Sequence, residues 1–312
     1  MIARATGLLL GHAADRWLGD PRRFHPVAGF GSVATRWERR LYADDRSAGV
    51  LYLLTLVGGS TGLAIALERS CRKPLLRALS TAAVTWAVLG GRSLEREAQA
   101  VHGLLTSGDV DGARRRLRNL VGRDTANLTP DEIARAVIES VAENTSDAVV
   151  TSYFWGAVAG MPGLVMHRAA NTLDAMVGHH NVRYERFGWA AARFDDLIGY
   201  PGARMAGLLV VALSPNPGAA WAAWRRDAAG HPSPNAGVVE ASFAGALGIR
   251  LGGTNTYYGN RTEHRALMGD GRTPTPDDIP PTTDLARRVG WAAAAVAAGV
   301  SLLRCGRLSM RD

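Results

Sequence analysis

Lysine is almost missing from this chain of 312 residues; Lys73 is its sole example beside a formal net charge of +8. Its basic side chains are therefore arginines. A phosphate-binding loop of the G-x-x-x-x-G-K-[ST] type is excluded, because that loop needs its lysine on the phosphates. Any nucleotide must be held by arginine forks, backbone N–H groups and metal. Cysteine is nearly absent too. Cys71 and Cys305 are far apart and lack ligand-like neighbours, which argues against a zinc centre or a disulfide framework. Basic residues are not interleaved with aromatics in any pattern that reads nucleic acid, so no nucleic-acid partner is expected. Internal repeats are lacking as well.

Charge itself is missing from five stretches: Val50–Leu67, Ala78–Gly91, Ala148–Met166, Met205–Trp224 and Val289–Leu303. The first, third and fourth approach the roughly 20 residues that cross a bilayer. Arginines gather beside them, with Arg36, Arg39, Arg40 and Arg46 before the first and Arg225 and Arg226 after the fourth. That suits loops beside anionic lipid. Strand alternation and Asn-Gly hairpin signals are lacking. The chain reads as all-α, a polytopic helical membrane protein forming one domain over 1–312. A polar helical region is expected at about 91–147 and an irregular loop at about 227–284. Ala148–Met166 contains Gly156, Gly160, Pro162 and Gly163, and Met205–Trp224 contains Pro215 and Pro217. If all five runs crossed, Glu143 and Asp174 would face opposite sides of the membrane. At least one of these two runs is therefore expected to be re-entrant or broken, as non-helical backbone at membrane depth must line a cavity or be buried in protein.

The polar clusters between the runs carry the chemistry. "LTPDEIARAVIESVAENTSD" begins with Thr129 as a helix N-cap, Pro130 in the first turn and Glu132 three residues after the cap. Further on, Glu139, Glu143 and Asp147 follow at intervals of four, so a continuous helix lines them along one face. Like charges so placed repel, and two acids near a helix C-terminus oppose the macrodipole. A bound cation resolves both conflicts. The other clusters are Asp20 with His25, Arg123 with Asp124, and Arg168 with Asn171 and Asp174. Arg193 stands beside Asp195 and Asp196, His231 near Asn235, and Arg250 near Gly252 and Gly253. Many carboxylates and many arginines together suit Mg²⁺ and a phosphate-bearing substrate.

In sequence order, "LGDPRRFHPV", "GRDTANL", "IESVAENTSDAVV", "AANTLDAMVG", "FGWAAARFDDL" and "HPSPNAGVVEASFAGALGIRLGG" resemble the CobD/CbiB family, the adenosylcobinamide-phosphate synthases of cobalamin biosynthesis. The likeness covers about residues 10 to 260. The resemblance implies an ATP-dependent acid–amine ligase in the cytoplasmic (inner) membrane, with Mg²⁺ as cofactor and ATP as co-substrate. Its partners would be the lipid bilayer, a corrinoid (adenosylcobyric acid) and aminopropanol or its phosphate; an oligomer is left open. In that frame Glu139, Glu143 and Asp147 are first candidates for the metal–nucleotide, with Asp174 and Asp196 beside them. Arg123, Arg168, Arg193 and Arg250 would meet phosphates. Asn171, Asn235, Gly252 and Gly253 would line the substrate or nucleotide site. Asp20, His25 or Asp124 would take the proton of the attacking ammonium, with Glu143 and Asp174 also in the catalytic set. The alternatives are a Mg-dependent membrane prenyltransferase and an ion-coupled transporter.

Overall fold

The structure, a computed structural model, describes residues 1–21, 25–179, 181–257 and 261–309. It is an all-α membrane-protein fold with a single two-stranded sheet among the described residues. The helices run in the order α1 (Ile2–Leu18), α2 (Pro26–Leu41), α3 (Arg46–Ser70), α4 (Pro74–Val88), α5 (Gly91–Thr106), α6 (Val110–Leu117) and α7 (Pro130–Asn144). A π-helical turn, Thr145–Val150, leads into α8 (Thr151–Val177), then α9 (Trp189–Leu213), α10 (Pro217–Asp227) and α11 (Ala236–Leu247). Strands β1 (Leu251–Tyr257) and β2 (Arg261–Met268) precede α12 (Ile279–Ser309). Three helical stretches are long and apolar enough to cross a membrane: Arg46–Ser70, Pro130–Val177 and Trp189–Leu213.

Two compact units stand where the sequence shows no boundary. Unit 1 comprises Met1–Gly90, Asp147–Gly202 and Ala293–Asp312; unit 2 comprises Gly91–Ser146 and Ala203–Ala292. The polar helical region thus begins at the edge of unit 2. In unit 1, α8 packs against α1, α2, α3 and α4. One apolar cluster there joins Tyr52, Leu53 and Leu56 of α3 to Ala170, Leu173 and Val177 of α8 and to Phe187.

Both suspect runs are interrupted, as their breakers suggest. Inside α8, Gly160 has φ 69° and ψ −146°, a conformation open only to glycine in practice. Pro162 follows and removes one more helical N–H. Arg4 answers the break by donating Nη1 to the Ala157 carbonyl at 3.5 Å while its Nη2 meets Glu68 at 3.2 Å. The fourth run ends α9 at Leu213 and restarts at Pro217, whose fixed φ suits the first helical turn.

Unit 2 is built on α7. Its capping box is present as the sequence suggests, with Thr129 and Glu132 bonded reciprocally. Ile133, Val137, Ile138 and Val141 of this helix pack with Ala98 and Val101 of α5, Leu117 of α6, Ala241 and Ala244 of α11, and Leu251 and Met268 of the sheet. The stretch 227–284 is more ordered than the irregular loop expected of it. It forms α11, an antiparallel hairpin and the start of α12. Its strands hide from sequence reasoning because a bulge between Leu251 and Gly253 shifts the register. Gly252 and Gly253, at φ 83° and 92°, make that bulge. The Pro-rich tail is fixed by Asp278, which accepts Arg272 at 2.7 and 2.8 Å and the Thr275 amide at 2.8 Å.

Two outcomes test this frame. Gly160→Ala places a side chain where only glycine sits easily, with Arg4 and Glu68 within 3 Å of the new Cβ; it should cost about 1–3 kcal/mol, read as a lowered Tm in detergent. Burial pushes the Asp278 carboxyl up, but Arg272 and the Thr275 amide outweigh it and hold it below the usual range. A depressed folded value means the stabilisation is complete above about pH 4 and fades as pH falls through the folded value. Asp278→Asn should therefore lower stability at pH 7 by roughly 1.5–3 kcal/mol and flatten the acid limb of a stability–pH curve.

Candidate functional site

Helix α7 is buried nearly all round from Ile133 to Ala142, so its polar side chains need internal partners. Glu139 has them. Its Oε2 accepts Arg123 Nη2 at 2.5 Å, and its Oε1 accepts the Gly252 amide at 3.0 Å. Arg135, one turn earlier, stands 4.0 Å away and donates to the carbonyls of Gly252 and Thr254. The bulge exists in part to deliver that amide. At Gly252 a side chain would collide with the Ala266 carbonyl.

Around this pair lies a cavity of about 130 Å³ within unit 2. Residues 120–123, α7, α11 and β2 line it, and its charged members are Arg123, Glu139, Glu143, Glu240 and Arg265. Glu143 is half-buried at its edge. Glu240 is 1 % exposed, and neither of its oxygens has a hydrogen-bond partner. His231 Nε2 lies 3.6 Å from Glu240 Oε1, too far for a hydrogen bond. Burial first, then the charges of Glu139 and Glu143, hold the Glu240 carboxyl well above the usual carboxylate range, against the opposite pull of Arg265 and Arg123.

A second charged cluster belongs to unit 1. Arg168 feels the carboxylates of Asp20, Asp147 and Asp195. Asp20 Oδ1 also meets His25 Nε2 at 3.5 Å, while His25 Nδ1 accepts the Val27 amide and caps α2. Asp147 is here because of the π-helical turn. That turn inserts extra backbone after α7, and Thr145 donates its hydroxyl to the Val141 carbonyl at 2.6 Å. The expectation of Glu139, Glu143 and Asp147 in one row on a regular helix is thereby corrected. The first two belong to unit 2 and Asp147 to unit 1. Local widening of this kind is common at functional sites.

The other sequence candidates fall into place separately. Asn171 and Asp174 sit half-buried in the last two turns of α8. Asp196 pairs with Arg193 at 3.7 Å, and the Arg193 side chain is 70 % exposed. Asp124 turns back on its own loop and accepts the Ala126 amide. Asn235 accepts Arg204 at 2.8 Å just before α11. Arg250 is exposed, and its backbone bonds to Arg272. Sequence reasoning missed Glu240 and Arg265 as site residues. The signal for Glu240 was there, as it is the only charge in "AGVVEASFAGAL". Arg265 offered none, because its strand was not expected.

Mg²⁺ has no ready-made cage, since among the described residues no group of three or more His, Cys, Asp or Glu is arranged to hold a metal ion. Both oxygens of Glu139 are already engaged. Magnesium commonly takes one or two carboxylates and completes its shell with substrate phosphates and water.

The family described as CobD/Cbib protein matches residues 8–286 of this chain. The cobalamin biosynthesis protein CobD of Mycobacterium tuberculosis is 48 % identical over 94 % of this chain and 95 % of its own length. The protein of the same name from Chromobacterium violaceum is 42 % identical over 93 % and 94 %, and that from Geobacter metallireducens 44 % over 78 % and 80 %. No solved structure matches. With a pattern spanning most of its length and relatives aligned nearly end to end, this chain belongs to the CobD/CbiB family.

Proposed function

We propose that this protein works in cobalamin biosynthesis as an ATP-dependent ligase of the cytoplasmic membrane, crossing it more than once. It would join adenosylcobyric acid to aminopropanol or its phosphate. The relatives are named for the pathway, which supports the first part. The observation that carries the chemistry is the unit 2 cavity, where two arginines and three glutamates meet inside an apolar helical body.

A carboxylate at neutral pH is a poor electrophile. Transfer of the γ-phosphoryl group of ATP to it gives an acyl phosphate and ADP. The ammonium gives up its proton to a base of the catalytic set (Asp20, His25 or Asp124); the amine nitrogen then attacks the acyl carbon, the C–N bond forms, the C–O bond breaks, and phosphate leaves with the electron pair. The protein must hold the phosphates, orient the amine and keep water from the acyl phosphate. Arg123 is suited to phosphate because Glu139 fixes its position in a buried pair, so a ligand meets an ordered guanidinium. Arg168, in the field of Asp20 and Asp147, suits the nucleotide phosphates. Bound magnesium would neutralise developing charge on those phosphates. Asp174, Asn171 and Asp196 remain candidates for the nucleotide, and the solvent-facing Arg193 and Arg250 for its entry. His25 orients Asp20 in this reading.

Membranes carrying the protein should form product from the corrinoid acid and labelled 1-amino-2-propanol or its O-phosphate, only when ATP and Mg²⁺ are both present. A product that forms equally without ATP, or none at all from folded protein, refutes the ligase. Alanine at Glu143 or at Asp174 should abolish product while the protein stays in the membrane; near-normal turnover by both would remove them from the site. Arg123→Ala should lose activity and stability together, by about 3–5 kcal/mol, as it strands Glu139. A thermal shift assay beside the turnover assay reads both.

A further inference from the structure

Glu240 is costly where it stands. It interrupts an apolar helix, is 1 % exposed, and has no hydrogen-bond partner on either oxygen. Leucine or glutamine would pack there at less expense. Glu139 nearby shows how this fold answers a buried carboxylate, with Arg123 on one oxygen and a backbone amide on the other. Glu240 faces the same cavity with only the His231 ring at 3.6 Å and no hydrogen bond, so a donor brought from outside would complete it.

Building on the ligase reading, we propose that the unit 2 cavity seats the ammonium group of the amine substrate, with Glu240 as its buried carboxyl partner and Glu143 beside it. Three features select an ammonium over other cations. An ammonium has three donors and no acceptor, which two carboxyl groups can satisfy. A divalent metal wants six or more oxygens, and no such group exists among the described residues. Arg123 and Arg265 also line the cavity; they repel a bare metal ion but suit the hydroxyl or phosphate at the far end of an amino alcohol. Size agrees. About 130 Å³ is well under the roughly 300–1,000 Å³ of clefts that enclose larger ligands. A short alkylamine fits; a nucleotide or a corrin ring does not. The cavity thus offers carboxyl groups to the ammonium end of an amino alcohol and guanidinium groups to its hydroxyl or phosphate end.

The test uses the full chain purified in detergent, with 1-amino-2-propanol and its O-phosphate as probes. Equilibrium binding of each labelled probe is measured without ATP, and steady-state kinetics with it. Glu240→Gln keeps the shape and removes the carboxyl group that can ionise against an ammonium. It should raise the KM for the amine at least tenfold and abolish measurable binding, while the KM for ATP stays within twofold. Propane-1,2-diol, which lacks the ammonium, should not compete. Binding by the wild type without any joining would sink the ligase reading and leave this site standing. Joining by the wild type with an unchanged amine KM in folded Glu240→Gln would overturn this site and leave the ligase standing. Failure of the wild type to bind either probe also overturns it. If Glu240→Gln does not fold, Glu143→Gln at the half-buried edge replaces it, read by equilibrium binding without ATP, with at least tenfold weaker binding of the labelled amine expected and unchanged binding fatal.

Discussion

The ion pair between Arg123 and Glu139 holds unit 2 to its purpose. It ties the loop after α6 to α7, and through the Gly252 amide it ties α7 to the hairpin. Three segments remote in sequence thereby share two oxygens of one carboxylate. A buried pair of this sort gains little net stability against an apolar replacement, since both charges lose their water. Its value is positional. It fixes a guanidinium at the wall of a small cavity without using surface groups, and it consumes Glu139 in doing so. The carboxylate that looked from sequence like a metal ligand serves as the brace for an arginine.

Departures from regular helix do the corresponding work along the backbone. A straight helix through α7 and α8 would keep Asp147 in line with Glu139 and Glu143. The π-helical turn at Thr145–Val150 changes its bearing, and its charge acts on Arg168 instead. Farther along, Gly160 and Pro162 break α8, and Arg4 with Glu68 covers the carbonyl this frees. In each case backbone regularity is given up in an apolar stretch, and a charged or hydroxyl side chain repairs the hydrogen bonding. Such repair is what an apolar surrounding demands, because water is not there to do it.

These devices explain what the sequence reveals and what it conceals. Helix starts are local, so Thr129 and Glu132 announce α7 without help from the rest of the chain. Breakers are local too, which is why Gly160, Pro215 and Pro217 foretold interrupted runs. The hairpin is not local. Its register depends on a glycine bulge, and its pairing residues lie between a short apolar helix and a Pro-rich tail. Once the hairpin goes unseen, Arg265 cannot be placed, and the cavity loses one wall. Glu240 was visible as a lone acid in an uncharged helix, but its meaning needs the neighbours. A single acid reads as a tolerated irregularity until its two oxygens are seen to lack partners.

Glu139 and Glu240 differ in what the protein gives them. Both are buried in the same cavity, on facing helices, within the field of the same two arginines. One is fully answered by the protein and the other is not. If burial were only a matter of packing, selection for stability would treat the two alike, either pairing both or replacing both by apolar side chains. An enzyme that must admit a cation and then let it go has reason to treat them differently. On the proposed reading it would satisfy the carboxylate that builds the wall and leave unsatisfied the one that meets the visitor, since a fully paired acid gives a ligand nothing to bind. The proposed site would thus divide stability and function between two glutamates that sequence alone shows as the same residue.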